Sequence, residues 1–243
     1  MATTTINASK QTLAKSGTQS SWSAARDASS SSTHTNYTTT QTNVANAIQE
    51  VYESRKGVDD YAVNRAFFFF DTSTIDGTIT AMSLKIQGVI YGSHDVRVAE
   101  STAFGTTGGS AYANTDFDSW TNPSGTLPAA PTPYNASNHV WSTSTNTITL
   151  NATAISDANS NDYLNLVVVG GDYDYPNTSV PLNTAIRSGI QFASTATFPQ
   201  LSITYTPAPA GYQNLPFSIT EKEGGFQEVN GVDKDDIEEI IGV

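Results

Sequence analysis

The chain has 243 residues and a formal net charge of −12 at pH 7, and it contains no cysteine. An acidic chain is poorly suited to a polyphosphate backbone, which requires clustered Lys and Arg, so we expect no nucleic-acid partner. Without cysteine there is no disulfide framework, no thiolate metal site and no cysteine nucleophile.

Signals for export and membrane insertion are also missing. Residues 1–7 have neither the basic nor the apolar segment of a secretory signal peptide. No run approaches the ~20 apolar residues needed to cross a bilayer. We therefore expect neither export through a signal peptide nor membrane insertion. Charged residues are only 14% of the chain, and the abundant threonine suits the half-exposed surface of a β-sheet.

The first 60 residues contain weak strand signals. Segments 3–8 and 11–14 are predicted to form short edge strands, and Trp22 is predicted to anchor the core. Ser29–Ser32 is a loop by composition. The segment Val44–Tyr52 fits both a helix and a strand, and we favour a strand because its neighbours resemble strands.

Residues 61–91 are the most apolar part of the chain. The run Phe67–Phe70 predicts a strand that is buried on both faces. In such a strand Ala66, Phe68 and Phe70 share one face, and the other carries Arg65, Phe67, Phe69 and Asp71. Arg65 and Asp71 would lie ~20 Å apart along the strand, so each needs another partner. After a turn at Thr74–Gly77, the alternation in Met82–Ile90 predicts a second strand with one face in the core.

The chain from residue 95 to residue 206 alternates short strands and turns. Residues 100–138 lose periodicity and contain many Gly and Pro, so we predict a surface loop or arm, where binding functions concentrate. One or two helical turns are predicted at Ala152–Asn159. The predicted strands are Asp95–Ala99, His139–Ser142, Asn146–Asn151, Tyr163–Val169, Ile186–Ser194 and Pro199–Thr206.

These elements predict an all-β protein, an antiparallel β-sandwich of jelly-roll type over residues 1–206. A Pro-rich linker follows at 207–216, and an acidic tail occupies 217–243. The predicted core consists of Phe67–Phe70, Leu84, Ile86, Leu164, Leu166, Val168, Leu201 and Ile203.

The tail combines charge with apolar residues. From Glu221 to Val243 it carries 8 acidic residues and 2 lysines, a net charge of −6. A loose repeat links Val229–Val232 to Ile240–Val243, and Asp233–Ile241 is predicted to form a short helix. A helix this short is marginal alone, so we expect the tail to anchor the chain to a partner through Ile237, Ile240, Ile241 and Val243.

The sequence contains no catalytic motif. Its three histidines have no metal-ligand spacing, and no nucleophile elbow, Walker loop or dinucleotide fingerprint is present. We therefore expect no enzymatic activity.

Two loops have side chains suited to a ligand. Asp172 and Asp174 offer carboxylates that could bind a Ca²⁺ ion, and we expect no other cofactor. Three aromatic rings offer surfaces on which a sugar can stack, those of Tyr173, Tyr175 and Trp120. Asp116 and Asp118 place the same chemistry beside Trp120. The alternative is a pair of solvated turns with packed aromatic rings.

Several motifs resemble the DNRLRE-type jelly-roll family, which is related to carbohydrate-binding modules. That family places an arginine shortly before a Phe-Asp pair, here Arg65 and Phe70-Asp71. It continues with a Thr-rich strand and closes with a Pro-x-Leu-x-Ile-x-Tyr-Thr strand, matched by Gly77–Ile86 and Pro199–Thr206. The resemblance implies a jelly roll and the possibility of carbohydrate binding.

The tail is similar to the C-terminal segments of many tailed-phage structural proteins, in which short Asn-Gly-Val units recur. The two resemblances together imply a non-enzymatic protein of the virion surface, a capsid decoration or fibre component. It would be made in the host cytoplasm and would bind other virion proteins and further copies of itself. The alternative is a glycan-binding module for host-surface attachment, and a weaker one is a polysaccharide-degrading enzyme.

Overall fold

The computed structural model describes residues 1–37, 44–55, 57–92, 94–120, 131–192, 199–208, 219–222, 225–229 and 232–233. They belong to two compact units, Met1–Thr206 and Pro207–Val243. Most of the predicted linker 207–216 lies outside the described residues. No helix in the described ranges is long and apolar enough to cross a membrane.

The first unit is built mainly from strands. Its helices are α1 (Trp22–Arg26) and α2 (Ala152–Asn161), with a 3-10 turn at Asn114–Asp116. Its strands are β1 (Ala2–Asn7), β2 (Lys10–Lys15), β3 (Thr33–Tyr37), β4 (Val44–Arg55), β5 (Val58–Asp71), β6 (Gly77–Gly92), β7 (Val96–Glu100), β8 (Thr145–Thr149), β9 (Tyr163–Gly170), β10 (Thr184–Phe192) and β11 (Gln200–Pro207).

Two long strands hold the first unit together. β5 pairs with β2 along one edge, and with β4 and then β9 along the other. β6 pairs with β8 in its middle and with β10 near its end. The main path of hydrogen-bonded strands is β1-β11-β6-β10-β4-β5-β2-β3, and the strands whose register is described pair antiparallel. The prediction of an all-β antiparallel sandwich is therefore confirmed.

The main core contains most of the residues that the sequence assigned to it. Phe68 and Phe70 of β5 share this cluster with Leu84 and Ile86 of β6. β5 and β6 have no described backbone pairing, so they meet through side chains and not as a hairpin. The cluster also contains the predicted core residues Leu164, Leu166, Val168, Leu201 and Ile203.

The other face of β5 is equally buried. Val63, Phe67 and Phe69 belong to a second apolar cluster, which also receives Val167 and Val169 from β9. This cluster is covered by α1 and by side chains from the segment after β7, namely Phe104, Tyr112, Phe117 and Trp120. Residues 100–138 were predicted to form a surface loop or arm, and 101–120 are indeed irregular. They do not form a projecting arm, because their buried side chains pack on the sheet as a layer.

Several local predictions agree with the structure. Val44–Tyr52 lies in β4, and the predicted helical turns at Ala152–Asn159 lie in α2. Asn151 caps α2 by accepting a hydrogen bond from the Ala154 amide, and Asp162 ends it with φ 61°. Trp22 is buried, as predicted.

Other local predictions are wrong. Segment 11–14 lies in β2, between β5 and β3, and is not an edge strand. Two elements were not predicted at all. β3 has four polar residues before the buried Tyr37, and α1 is a single short helix that begins at a Ser21 cap. His139–Ser142 contributes only an isolated pairing between Val96 and His139, because the surrounding chain is irregular.

The second unit contains a small antiparallel sheet, in the order β12 (Ile219–Lys222), β13 (Gly225–Val229) and β14 (Val232–Asp233). Val229 pairs with Val232. The two residues between them in sequence are Asn-Gly, the dipeptide most typical of a two-residue hairpin. The predicted helix would begin at Asp233, which lies in β14. The proposed anchoring residues Ile237, Ile240, Ile241 and Val243 lie outside the described residues.

Candidate functional site

A buried ion pair lies at the centre of the second face of β5. The Arg65 side chain is 0% exposed, as is that of Asp174, in the loop after β9. Arg65 Nε donates to Asp174 Oδ2 at 2.8 Å, and Nη2 donates to Oδ1 at 2.8 Å. Arg65 also donates to the backbone oxygens of Phe117 and Arg26. A bidentate guanidinium with further acceptors is the geometry that compensates a buried charge.

Two aromatic rings cover this guanidinium. Its central carbon lies 4.3 Å from the centroid of the Phe117 ring and 4.7 Å from that of Trp120. Trp120 is only 4% exposed. Its ring packs on Arg65 and does not face solvent. The predicted role of Trp120 as an exposed stacking surface is therefore not supported, because the ring shields a buried cation.

A second arginine also contacts Asp174. Arg26, the last residue of α1, donates from Nε to the Asp174 backbone oxygen at 2.7 Å. Its Nη1 forms an ion pair with Asp27 at 2.7 Å. The Asp174 carboxylate thus has arginines as its ionic partners and no solvent exposure. It is unsuited to the predicted Ca²⁺ site, because its oxygens already bind a guanidinium.

Glu50, a buried residue of β4, holds the same loop from the other side. Its Oε1 accepts hydrogen bonds from the backbone amides of Tyr173 and Asp174. Burial raises the pKa of the Glu50 carboxyl, and the neighbouring His94 ring opposes that shift. The loop is therefore held at Asp174 by two arginines and at its amides by one carboxylate.

A cluster of possible metal ligands lies beside this contact. Glu50 Oε2 and His94 Nε2 are 2.7 Å apart, and both side chains are buried. One ligand atom each from Glu50, His94 and the exposed Asp172 lie within 4.8 Å of one another. Within the described ranges this is the one group of three His or carboxylate side chains so arranged. Asp172 was predicted to share a Ca²⁺ ion with Asp174, but it lies beside Glu50 and His94.

Both predicted stacking tyrosines of the loop are half-buried and pack against the second cluster. The Arg97 guanidinium carbon lies 4.9 Å from the centroid of the Tyr175 ring, and the Tyr175 hydroxyl donates to the Pro131 oxygen at 3.1 Å. One face of Tyr175 is therefore occupied. Glycan stacking on Tyr173 and Tyr175 stays a prediction.

A cleft of about 80 Å³ lies elsewhere on the first unit, between the end of β7, α2 and β9. Asn165 lines it and is 3% exposed, and neither of its side-chain amide atoms has a hydrogen-bond partner within the described residues. The Tyr134 hydroxyl donates to Asp157 Oδ2 at 2.8 Å. Burial raises the pKa of Glu100, and the Asp157 charge acts in the same direction. The cleft therefore offers carboxylates and an unsatisfied amide.

Four residues of these sites were not predicted from the sequence, namely Glu50, His94, Arg26 and Asn165. Glu50 lies in β4 and His94 lies 44 positions later, in the loop between β6 and β7. Nothing in their local sequence indicates that they are partners. Asn165 does carry a signal, because it is a polar residue within the apolar run of β9.

Comparison with known proteins gives no assignment. No protein-family model matches the sequence, and no curated protein matches it.

Proposed function

We propose that this chain is a non-enzymatic structural protein of a phage virion surface, a capsid decoration or fibre component. In this proposal the sandwich is the exposed body, and residues 217–243 attach it to other virion proteins or to further copies of the chain. One observation carries the proposal. The chain divides into two compact units, a sandwich with its own core and a second unit that contains a small three-stranded sheet.

The first unit supports a role as an independent body. The described side chains of its two apolar clusters come from residues 1–206. A domain that buries its core with its own residues needs no partner to fold. The proposal therefore assigns residues 217–243 a separate task, attachment.

The second unit supports a role in attachment. In its sheet β13 is the middle strand, so β12 and β14 each have one edge without a described backbone partner. Sheet edges present N–H and C=O groups on which a strand of another chain can pair. The net charge of −6 between Glu221 and Val243 adds a preference for a basic partner surface.

We expect deletion of residues 217–243 to leave the thermal midpoint of the sandwich nearly unchanged and to abolish incorporation into particles. The matched control replaces these residues with a Gly/Ser segment of equal length, and it should fail in the same way. Incorporation is measured on purified particles, and the midpoint by circular dichroism. Normal incorporation of the truncated chain would contradict the proposal, and a large fall in midpoint would show that the segment supports the fold.

The cleft around Asn165 favours glycan binding as a second candidate function. An unsatisfied buried amide beside carboxylates suits the hydroxyl groups of a sugar, which both donate and accept. On a glycan array the wild type should bind a defined set of glycans, and Asn165→Ala should lose at least about tenfold in affinity, since one to two hydrogen bonds are lost. Equal binding by Asn165→Ala would place any glycan site elsewhere. A reducing-sugar assay on the bound glycans tests the weaker enzymatic alternative.

A further inference from the structure

We propose that Glu50, His94 and Asp172 bind a divalent transition-metal ion of the Zn²⁺ class. The three residues come from separate parts of the fold. Glu50 lies in β4, His94 lies between β6 and β7, and Asp172 lies in the loop after β9. A metal at this point would link three segments that no disulfide can link, because the chain has no cysteine.

The distances among the donor atoms suit one small ion. Two ligands bound to the same zinc at about 2.0–2.1 Å lie about 3.3 Å apart in tetrahedral geometry. The Glu50 Oε2 to His94 Nε2 distance is 2.7 Å, and all three donors lie within 4.8 Å of one another. Small side-chain rotations would equalise these distances. Asp172 is exposed, which leaves the ion a route from solvent.

Apart from their contact with each other, the two buried ligand atoms have no hydrogen-bond partner among the described residues. Glu50 Oε2 and His94 Nε2 have the separation of an ion pair, yet neither atom makes an aligned hydrogen bond within the described residues. Both side chains are 0% exposed. Buried polar atoms without hydrogen bonds are rare and costly in native proteins. A bound cation would satisfy the carboxylate oxygen and the ring nitrogen together.

The surrounding backbone brings the ligands close. Glu50 Oε1 is occupied by the amides of Tyr173 and Asp174, so that carboxylate is oriented with its other oxygen towards His94. A Cβ on Gly170 would collide with the Glu50 carboxylate and with His94 Nε2, at 2.6 Å from the latter. Glycine at this position therefore makes room for the Glu50–His94 approach.

The ligand set selects the class of metal. Imidazole nitrogen favours zinc and its first-row neighbours, whereas Ca²⁺ prefers six to eight oxygen ligands. One imidazole with two carboxylates thus fits Zn²⁺ better than Ca²⁺. Three protein ligands leave a fourth position for water, as in open zinc sites.

The test measures Zn²⁺ binding to full-length chain that has been treated with EDTA and dialysed. We expect one equivalent of Zn²⁺ to bind by calorimetry and to raise the thermal midpoint, and Ca²⁺ to do neither at the same concentration. Asp172→Asn should weaken Zn²⁺ binding by at least about tenfold, since removal even of an outer-shell partner costs 10–100-fold. Because Asp172 is exposed, this variant should fold, and circular dichroism verifies that it does.

Two matched variants exclude adventitious binding to an acidic surface. Asp76→Asn removes an exposed carboxylate between β5 and β6, and His34→Gln removes an imidazole of β3. Both should bind Zn²⁺ like the wild type. The proposal is overturned by the absence of Zn²⁺ binding, by equal binding in Asp172→Asn, or by tighter binding of Ca²⁺ than of Zn²⁺.

Discussion

Replacing Asp174 with asparagine should lower the free energy of unfolding by about 3–5 kcal/mol. The substitution keeps the shape of the side chain but leaves the Arg65 guanidinium buried with no carboxylate. Both side chains are 0% exposed and joined by two hydrogen bonds of 2.8 Å. Urea unfolding followed by circular dichroism measures the change.

A double-mutant cycle separates the ion pair from general packing. Arg65→Met alone should also be strongly destabilising, because the buried Asp174 carboxylate loses both guanidinium hydrogen bonds and keeps only the 3.7 Å contact with Arg26 as a described ion pair. The double variant should cost less than the two single changes added together. Asp27→Asn is the matched control, since its side chain is 42% exposed beside Arg26, and it should change stability by no more than about 1 kcal/mol. If Asp174→Asn lowered the free energy of unfolding by less than about 1 kcal/mol, the result would contradict the buried ion pair.

Phe68→Ala and Phe69→Ala should each lower the free energy of unfolding by about 3–5 kcal/mol. The two neighbours point to opposite faces of β5, Phe68 into the main core and Phe69 into the second cluster. Each truncation removes a buried ring and leaves a cavity. Similar costs at both positions are therefore expected only if β5 is buried on both faces.

Val58→Ala is the control on the same strand, because Val58 is 61% exposed. Its effect should lie within about 0.5 kcal/mol of zero. A large cost for Phe68→Ala with little cost for Phe69→Ala would show that the layer formed by α1 and residues 101–120 packs loosely on the sheet.

The central strand was predictable because its signal is local. A run of four phenylalanines is too apolar for a surface, and strand geometry assigns its members to alternate faces. The structure confirms that assignment, with Phe68 and Phe70 in one cluster and Phe67 and Phe69 in the other. The alternation in β6 identified Leu84 and Ile86 in the same way.

The layer over the second face was not predictable from periodicity. Residues 101–120 have little regular structure, so their buried rings follow neither the strand nor the helix period. Their burial depends on the sheet beneath them. Phe104, Phe117 and Trp120 belong to the second cluster, whereas composition alone indicated an exposed loop.

The partners within the candidate site were not predictable either. Arg65 and Asp174 lie 109 positions apart, and their contact depends on the tertiary fold. Strand geometry separates Arg65 from Asp71, so the sequence does predict that Arg65 needs another partner. The residue types of loop 170–177 also point to a ligand-binding loop, which the structure places between the arginines and Glu50. Nothing in the sequence distinguishes Asp174, a partner of arginine, from Asp172, which lies beside Glu50 and His94.

The most direct test of the proposed virion role is quantitative mass spectrometry of phage particles purified from cells that express this chain. Particles are labelled intact with an amine-reactive reagent before digestion. The chain should be present at a fixed ratio to the other structural proteins, and lysines of residues 1–206 should be labelled because the proposal places the sandwich on the particle surface. Its presence in the infected-cell lysate but absence from purified particles would contradict the proposal.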